Sequence, residues 1–309
     1  MGYPSAKRDG GAEVGGYTGL RKTKRFCAGF AMLLLLLRTA TPADPAMAAL
    51  EELQGCGASV VFINVGKADS ALLCVGGKAF LIDAGSKDSA PALLAALSAM
   101  GVRGIDGLFL THADSDHIGG TEALSRAVPV ERLYSAEISL PNKQGENRIK
   151  RLAERLGLPH TFLNAGDRVE AGENAAFSVL GPLVLNTEDD NDNSLVMSIK
   201  LNGRVFLFTG DMRFAGEDSL LDSGTDVSAH VLKVGHHGNR GATSARFVAA
   251  VSPEYAVIST NTEAAPRSAH DTVIANLFPA SVYVTEGYAL GIRMDISGEG
   301  FISVCELKE

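Results

Sequence analysis

Short apolar runs, broken by turn residues and by stretches of helical spacing, set the frame of this chain. Ser59–Val65 (SVVFINV) and Ser70–Val75 (SALLCV) read as strands, and Gly76-Gly77 marks a hairpin turn into a third, Lys78–Asp83 (KAFLID). Ala84-Gly85-Ser86 ends that strand. Helical spacing then runs from Ala90 to Met100, with leucines and alanines on one side and Gly101 as the stop. The run Ile105–Leu110 (IDGLFL) predicts a buried strand, and Gly119-Gly120 open the next helix. From Val128 to Pro182, short strands alternate with a charged helix over Asn147–Leu156. A second β-rich half follows. Ser194–Leu201 and Arg204–Thr209 flank Asn202-Gly203, a strong hairpin signal. Ala229–Val234 is another strand, ending in Gly235-His236-His237-Gly238, and Tyr255–Ser259 and Ser281–Thr285 bracket a helix over Asp271–Leu277. Strands, helix, strand and helices thus occur twice over. That order predicts two β-sheets packed face to face with helices outside, an α/β sandwich.

The first 48 residues follow a different pattern. A basic cluster (Lys22, Lys24, Arg25) precedes the twelve-residue apolar run Phe26–Leu37, and Ala46-Met47-Ala48 supplies a small-x-small site. This layout predicts an export signal cleaved after Ala48, and a periplasmic or secreted protein. The run falls short of the ~20 residues that span a bilayer, and an uncleaved anchor over 26–37 is the competing reading. Residues 49–309 then form one large domain with an ample core. Without residues 1–48 the formal charge moves from −8 to −12. So acidic a chain has no broad basic surface for long nucleic acid, whose tight nonspecific binding rests on phosphate neutralisation. Cys27 lies in the signal; Cys56, Cys74 and Cys305 have no zinc-finger spacing, and Cys74 reads as core.

Chemistry concentrates just past strand ends. Thr111-His112-Ala113-Asp114-Ser115-Asp116-His117-Ile118-Gly119-Gly120 puts four metal-capable side chains within six residues, directly after a buried strand. An ordinary helix-capping turn needs one Asp or Ser, not two histidines besides. Imidazole, carboxylate and water suit zinc, manganese or iron. Asp83, Asp211 and the pair His236-His237 also follow strand ends. Loops at one edge of packed sheets can converge, and rigid strands then fix the ligands.

These motifs resemble the metallo-β-lactamase fold hydrolases, and most of all the metal-dependent domain of the ComEC competence proteins and their stand-alone relatives. The matching stretches are Val61–Ser70, Leu81–Gly85, Thr111–Gly120, Asn193–Val196, Phe208–Asp211 and Leu232–Gly238, in the family's order. The resemblance implies a four-layer αββα sandwich. It also implies two divalent cations, zinc or manganese, that activate water. His112, Asp114 and Asp211 would hold one; Asp116, His117, Asp211 and one histidine of the pair would hold the other. The strand-end position favours His236 with His237 behind it, and the reverse stays open. Asp83 matches a buried acid that orients ligands. Asp116 could also steer the nucleophile's proton. His270 matches a rim histidine, a substrate contact or proton donor, unless it is a plain surface residue. Lys233, Asn193, Ser194 and Arg240 are candidate substrate donors, whereas His160 and His230 read as structural. Three departures stand out. Asp114 replaces the second histidine of the general signature, Asn193-Ser194 stand where a lone histidine is usual, and Lys67-Ala68 replace Gln-Gly before Asp69. The first two also mark the ComEC-like branch and make the site oxygen-rich, which suits phosphoryl transfer.

The implied activity is an exported hydrolase of phosphodiesters, acting on a small diester, an oligonucleotide or an envelope-derived substrate, with no obligate protein partner evident. An acyl or amide hydrolase (thioesterase, lactonase or β-lactamase-like) is the alternative on the same fold. A binding module that lost catalysis conflicts with so full a ligand set.

Overall fold

The computed structural model describes residues 58–308. The export signal or anchor, the boundary at residue 48, Cys27 and Cys56 lie outside the described residues. Among the described residues, no helix is long and apolar enough to cross a membrane.

In chain order the first half supplies β1 (Ala58–Ile63), β2 (Ala71–Val75), β3 (Lys78–Ile82), β4 (Gly107–Leu110), β5 (Leu133–Ala136) and β6 (His160–Leu163). The second supplies β7 (Arg168–Gly172), β8 (Ala175–Gly181), β9 (Val196–Leu201), β10 (Arg204–Phe208), β11 (Val231–Lys233), β12 (Tyr255–Ile258) and β13 (Ser281–Val284). Two last strands, β14 (Gly291–Ile296) and β15 (Ile302–Glu306), return to the first sheet. The result is an eight-stranded sheet, β15-β14-β1-β2-β3-β4-β5-β6, and a seven-stranded sheet, β13-β12-β11-β10-β9-β8-β7.

Alternation along each strand explains the layers. In β1, Val60 and Phe62 join the core between the sheets, while Val61 and Ile63 face the helices Ala90–Ala99, Thr121–Ala127 and Arg148–Leu156. In β10, Phe206 and Phe208 face inward and Leu207 faces the helices Phe214–Asp222, Ala245–Val251 and Asp271–Asn276. Strands buried on both faces read as continuous apolar runs, which is why these were visible in the sequence. Aromatic rings fill the middle: Phe109 lies 4.4 Å from Phe177 and 4.9 Å from Tyr134 between centroids, and Phe62 lies 6.1 Å from Phe208.

Sheet direction decides where chemistry gathers. β3 to β6 run parallel, as do β10 to β13, so each set delivers its C-terminal ends to one edge. β1 and β2 are antiparallel, with Phe62 opposite Ala71 and Ala71 opposite Ile82, so the loop from Asn64 to Ser70 emerges at the same edge as Asp83. Two glycines then let the next turn close over that edge. A Cβ on Gly120 would lie 2.1 Å from Ala84 O, and one on Gly119 would lie 2.5 Å from Lys87 N. The short helix Ser115–Ile118 precedes them, and Gly120 becomes the N-cap of the helix that follows.

Truncating the central ring, Phe109→Ala, should cost about 3–5 kcal/mol of unfolding free energy, because the cavity lies between two rigid sheets. Urea denaturation of the variant checks this; a loss below about 1 kcal/mol would contradict the packing described.

Candidate metal centre

Asp83 follows β3 in a left-handed conformation (φ 58°) that few non-glycine residues adopt, and burial is complete. Its carboxylate gathers the strand end beside it. Oδ1 accepts from Thr111 N at 2.8 Å, and Oδ2 accepts from Thr111 Oγ1 at 2.7 Å and from His117 Nδ1 at 2.7 Å. With Nδ1 donating to Asp83, His117 turns Nε2 away from it, toward Asp211 Oδ1 at 3.2 Å. His237 is set the same way from the second sheet. Its Nδ1 donates to Ser259 O at 2.9 Å, and its Nε2 lies 3.4 Å from both Asp116 Oδ2 and Asp211 Oδ2.

The loop that carries His237 is held from behind. His236 (φ 47°) and His237 (φ 55°) both take left-handed conformations. Gly235 N donates to Thr243 Oγ1 at 3.2 Å, and the buried Glu217 carboxylate accepts from Thr243 N and from Ser244 N (3.0 Å). Asp211 is fixed by its own N–H, which donates to Ser194 Oγ at 3.1 Å.

Several atoms facing the centre of the cluster lie at ion-pair distance from one another yet make no aligned hydrogen bond. His112 Nε2, His117 Nε2, His237 Nε2 and Asp211 Oδ1 are buried and make no hydrogen bond. Orphaned polar atoms at this depth are costly unless something else satisfies them. Ligand atoms of His112, His117 and Asp211 lie within 4.8 Å of one another, as do those of Asp116, His117 and His237, and those of Asp69, Asp211 and His237. Nitrogen and oxygen donors in such sets fit zinc or manganese. The chain therefore has buried His/Asp clusters consistent with a metal site.

Charge follows the same geometry. Burial opposes ionisation of Asp211, but His237 and then His117 outweigh it and hold the carboxyl well below its usual range. Burial likewise opposes a charged His237, yet Asp211 and Asp69 push its pKa up to about 10. His117 rises too, through Asp211 and Asp83 against burial. Asp116 is lowered by His237, His117 and Lys67 despite burial. Asp114 is lowered first by its interaction with His112. The cation-free cluster thus pairs ionised carboxylates with protonated His117 and His237.

The remaining candidates fall into distinct places. Asp114 is half-exposed, 3.7 Å from His112 Nε2 and, on its other oxygen, 3.7 Å from Arg148. His236 Nε2 lies 3.8 Å from Asp211 Oδ2, and burial lowers its pKa first, so it is neutral beside the cluster rather than within the sets above. Asn193 is buried and engaged by Asn186 and Asp190, Ser194 by Asp211 N, and Lys233 by Asp69 Oδ2 at 2.6 Å. All three are buried, and the donors of Asn193 and Lys233 are already committed. His270 caps the helix Asp271–Asn276, with Nδ1 accepting from Thr272 N at 3.1 Å, and its backbone N–H donates to Gly238 O at 2.9 Å. Arg240 lies in the loop after His237, outside the donor sets. His160 bonds Ser135 Oγ, and His230 Nδ1 accepts from Val205 N.

Two residues of the site, Asp69 and Lys67, were named from the sequence only within the matching stretch Val61–Ser70, with no site role. Asp69 lies 3.4 Å from His237 Nδ1 and pairs with Lys233; Lys67 pairs with Asp116. Lys233 carried a signal, a lone charge inside the apolar run Val231–Val234, whereas Asp69, between Lys67-Ala68 and Ser70, carried none.

Comparison with known proteins agrees with this geometry. The family model described as the metallo-beta-lactamase superfamily matches residues 63–262. Among curated relatives, ComE operon protein 3 of Bacillus subtilis (strain 168) is 31% identical over 192 residues, covering 62% of this chain and 24% of that protein. Competence protein ComA of Neisseria gonorrhoeae is 32% identical over 207 residues, covering 65% of this chain and 27% of that protein. The chain thus spans about a quarter of the length of these relatives. Among solved structures, the metallo-beta-lactamase fold protein YhfI from Bacillus subtilis has the same fold (TM-score 0.51, 13% identity, 80% of this chain and 100% of that one).

Two outcomes follow from the site. Asp83→Asn keeps a residue that tolerates φ 58° but weakens the grip on His117, so cation affinity should fall about 10–100-fold in calorimetry with the circular dichroism spectrum unchanged. Cation binding must also displace the protons on His117 and His237. Protonation of His237 stabilises the cation-free protein below its ordinary pKa near 6.5, and that contribution is lost as pH rises through about 10. Near pH 7.5, binding should release about two protons, and affinity should climb with pH. Titrations in buffers of different ionisation enthalpy measure the release; heats independent of buffer would refute this protonation state.

Proposed function

Because the chain belongs to the metallo-beta-lactamase superfamily, in its ComEC-like branch, we propose that its buried cluster binds two divalent cations, zinc or manganese, and that the chain hydrolyses small phosphodiesters. His112, Asp114 and Asp211 would hold one cation; Asp116, His117, His237 and Asp211 the other. The observation that carries the reading is the convergence on Asp211 of the buried Nε2 atoms of His112, His117 and His237, none of which makes a hydrogen bond. Bound there, the cations supply Lewis acidity and bring the pKa of water toward neutrality.

The chain's own residues divide the remaining work. Asp83 and Ser259 fix the tautomers of His117 and His237, so that both present Nε2. Asp211 faces imidazoles with both oxygens and would be shared by both donor sets. Asp116, partly exposed beside the buried His237, would steer the proton of the attacking water. His270, whose Nδ1 accepts from Thr272 N, keeps Nε2 as its donor atom for a substrate oxygen or a leaving group.

A phosphodiester is favoured over an acyl substrate by charge at the mouth. On a chain of net charge −8, Lys67 meets Asp116 and Arg148 stands 3.7 Å from Asp114. Cations beside an oxygen-rich donor set suit an anionic ester. The acidic surface elsewhere suits a short substrate rather than long nucleic acid. The basic cluster and apolar run before residue 49 support export of this enzyme.

On zinc or manganese loading, the protein should turn over bis(p-nitrophenyl) phosphate and leave a chromogenic cephalosporin untouched. Asp116→Ala should keep the fold and lose turnover by more than about a hundredfold. Cephalosporin cleavage without diester cleavage would reverse the substrate assignment.

A further inference from the structure

Lys67 occupies an unusual position for a lysine. It lies in the loop between β1 and β2, which reaches the metal edge, and that loop is built rather than slack. Gly66 takes a left-handed φ of 74°, and Ala68 N donates to Gly66 O at 2.9 Å. Asn64 braces the turn: Oδ1 accepts from Gly66 N at 3.3 Å, and Nδ2 donates to Tyr288 O at 2.7 Å. Asp69 N then donates to the backbone oxygen of Asp116 at 3.1 Å. The loop is therefore stapled to the main chain of the residue whose carboxylate the lysine meets.

Lys67 Nζ pairs with Asp116 Oδ2, the oxygen that lies 3.4 Å from His237 Nε2. An ammonium thus sits on the carboxylate oxygen that the second cation would take. A lysine and a divalent cation cannot share one oxygen without strong repulsion. The lysine has somewhere to go, because its side chain is 37% exposed and hangs on a flexible four-carbon stem. Displaced from Asp116, the ammonium stays tethered at the mouth by the rigid turn. An anionic oxygen held next to the cations is the partner its charge then requires.

We propose that Lys67 is a displaceable internal cation: it holds Asp116 until a divalent cation takes that carboxylate, and it then binds an anionic phosphoryl oxygen of the substrate. This role rests on the hydrolase reading above. It makes Lys67 a substrate contact that becomes available only when the cluster is loaded.

Two titrations of the full chain test it. The first adds zinc to the metal-free protein. Lys67→Met removes the competitor for Asp116, and affinity at the cation step that engages Asp116 should rise about tenfold, with Lys67→Arg staying near wild type. The second adds inorganic phosphate to the zinc-loaded protein. Here Lys67→Met should weaken binding about tenfold, again with Lys67→Arg near wild type. Opposite shifts in the two titrations are the signature; a lysine remote from the cluster would move neither. An unchanged affinity for zinc or for phosphate in Lys67→Met overturns the proposal. A wild-type chain that binds no zinc would instead bring down the hydrolase reading, and the lysine's role with it.

Discussion

The site depends on one carboxylate. Asp83 accepts from Thr111 N, Thr111 Oγ1 and His117 Nδ1, all within 2.8 Å and all buried. Those contacts join the end of β3 to the end of β4 and settle which nitrogen of His117 faces Asp211. The left-handed backbone at Asp83 is the cost of bringing the carboxylate round to meet them. Without that anchor, the turn from His112 to His117 would have no reason to present two Nε2 atoms to one point.

Electrostatics tie the second sheet to the first. Lys233 on β11 reaches Asp69 ahead of β2, and burial leaves that pair few other partners. Asp69 is held ionised against burial by Lys233 and then His237. His237 in turn faces Asp116 from the first sheet and Asp211 from the second. Buried charges are tolerated only when paired, and here each pair joins separate segments of the chain. The cluster is thus also a fastening between the sheets at their functional edge.

Much of this was legible in the chain. Central strands such as Ile105–Leu110 and Arg204–Thr209 are apolar on both faces, and the glycine pairs mark their turns. The charged stretch Thr111–Gly120 could hardly serve another purpose at a strand end. The strands β14 and β15 went unnoticed: the sequence after Thr285 alternates Ile292, Met294 and Ile296 with Arg293 and Asp295, a half-buried pattern weaker than a continuous run. The boundaries moved for tertiary reasons. Ile105 makes only an isolated bridge to Val130, and Ser194 is drawn into the turn that holds Asp211. The roles of Asn193 and Asp192 were hidden because they act on backbone: Asp192 accepts from Arg213 N and Gly216 N and so caps the helix Phe214–Asp222 from outside it. Sequence spacing names residue types near a site but not which atoms already have partners.

The division of ligands between the sheets has a consequence for how the molecule matures. His112, Asp116 and His117 come from the first half of the chain, while Asp211 and His237 come from the second. A partly folded chain with only one sheet formed carries half a chelator, which holds cations weakly. A cation held by ligands from both halves would therefore couple its capture to the docking of the two sheets.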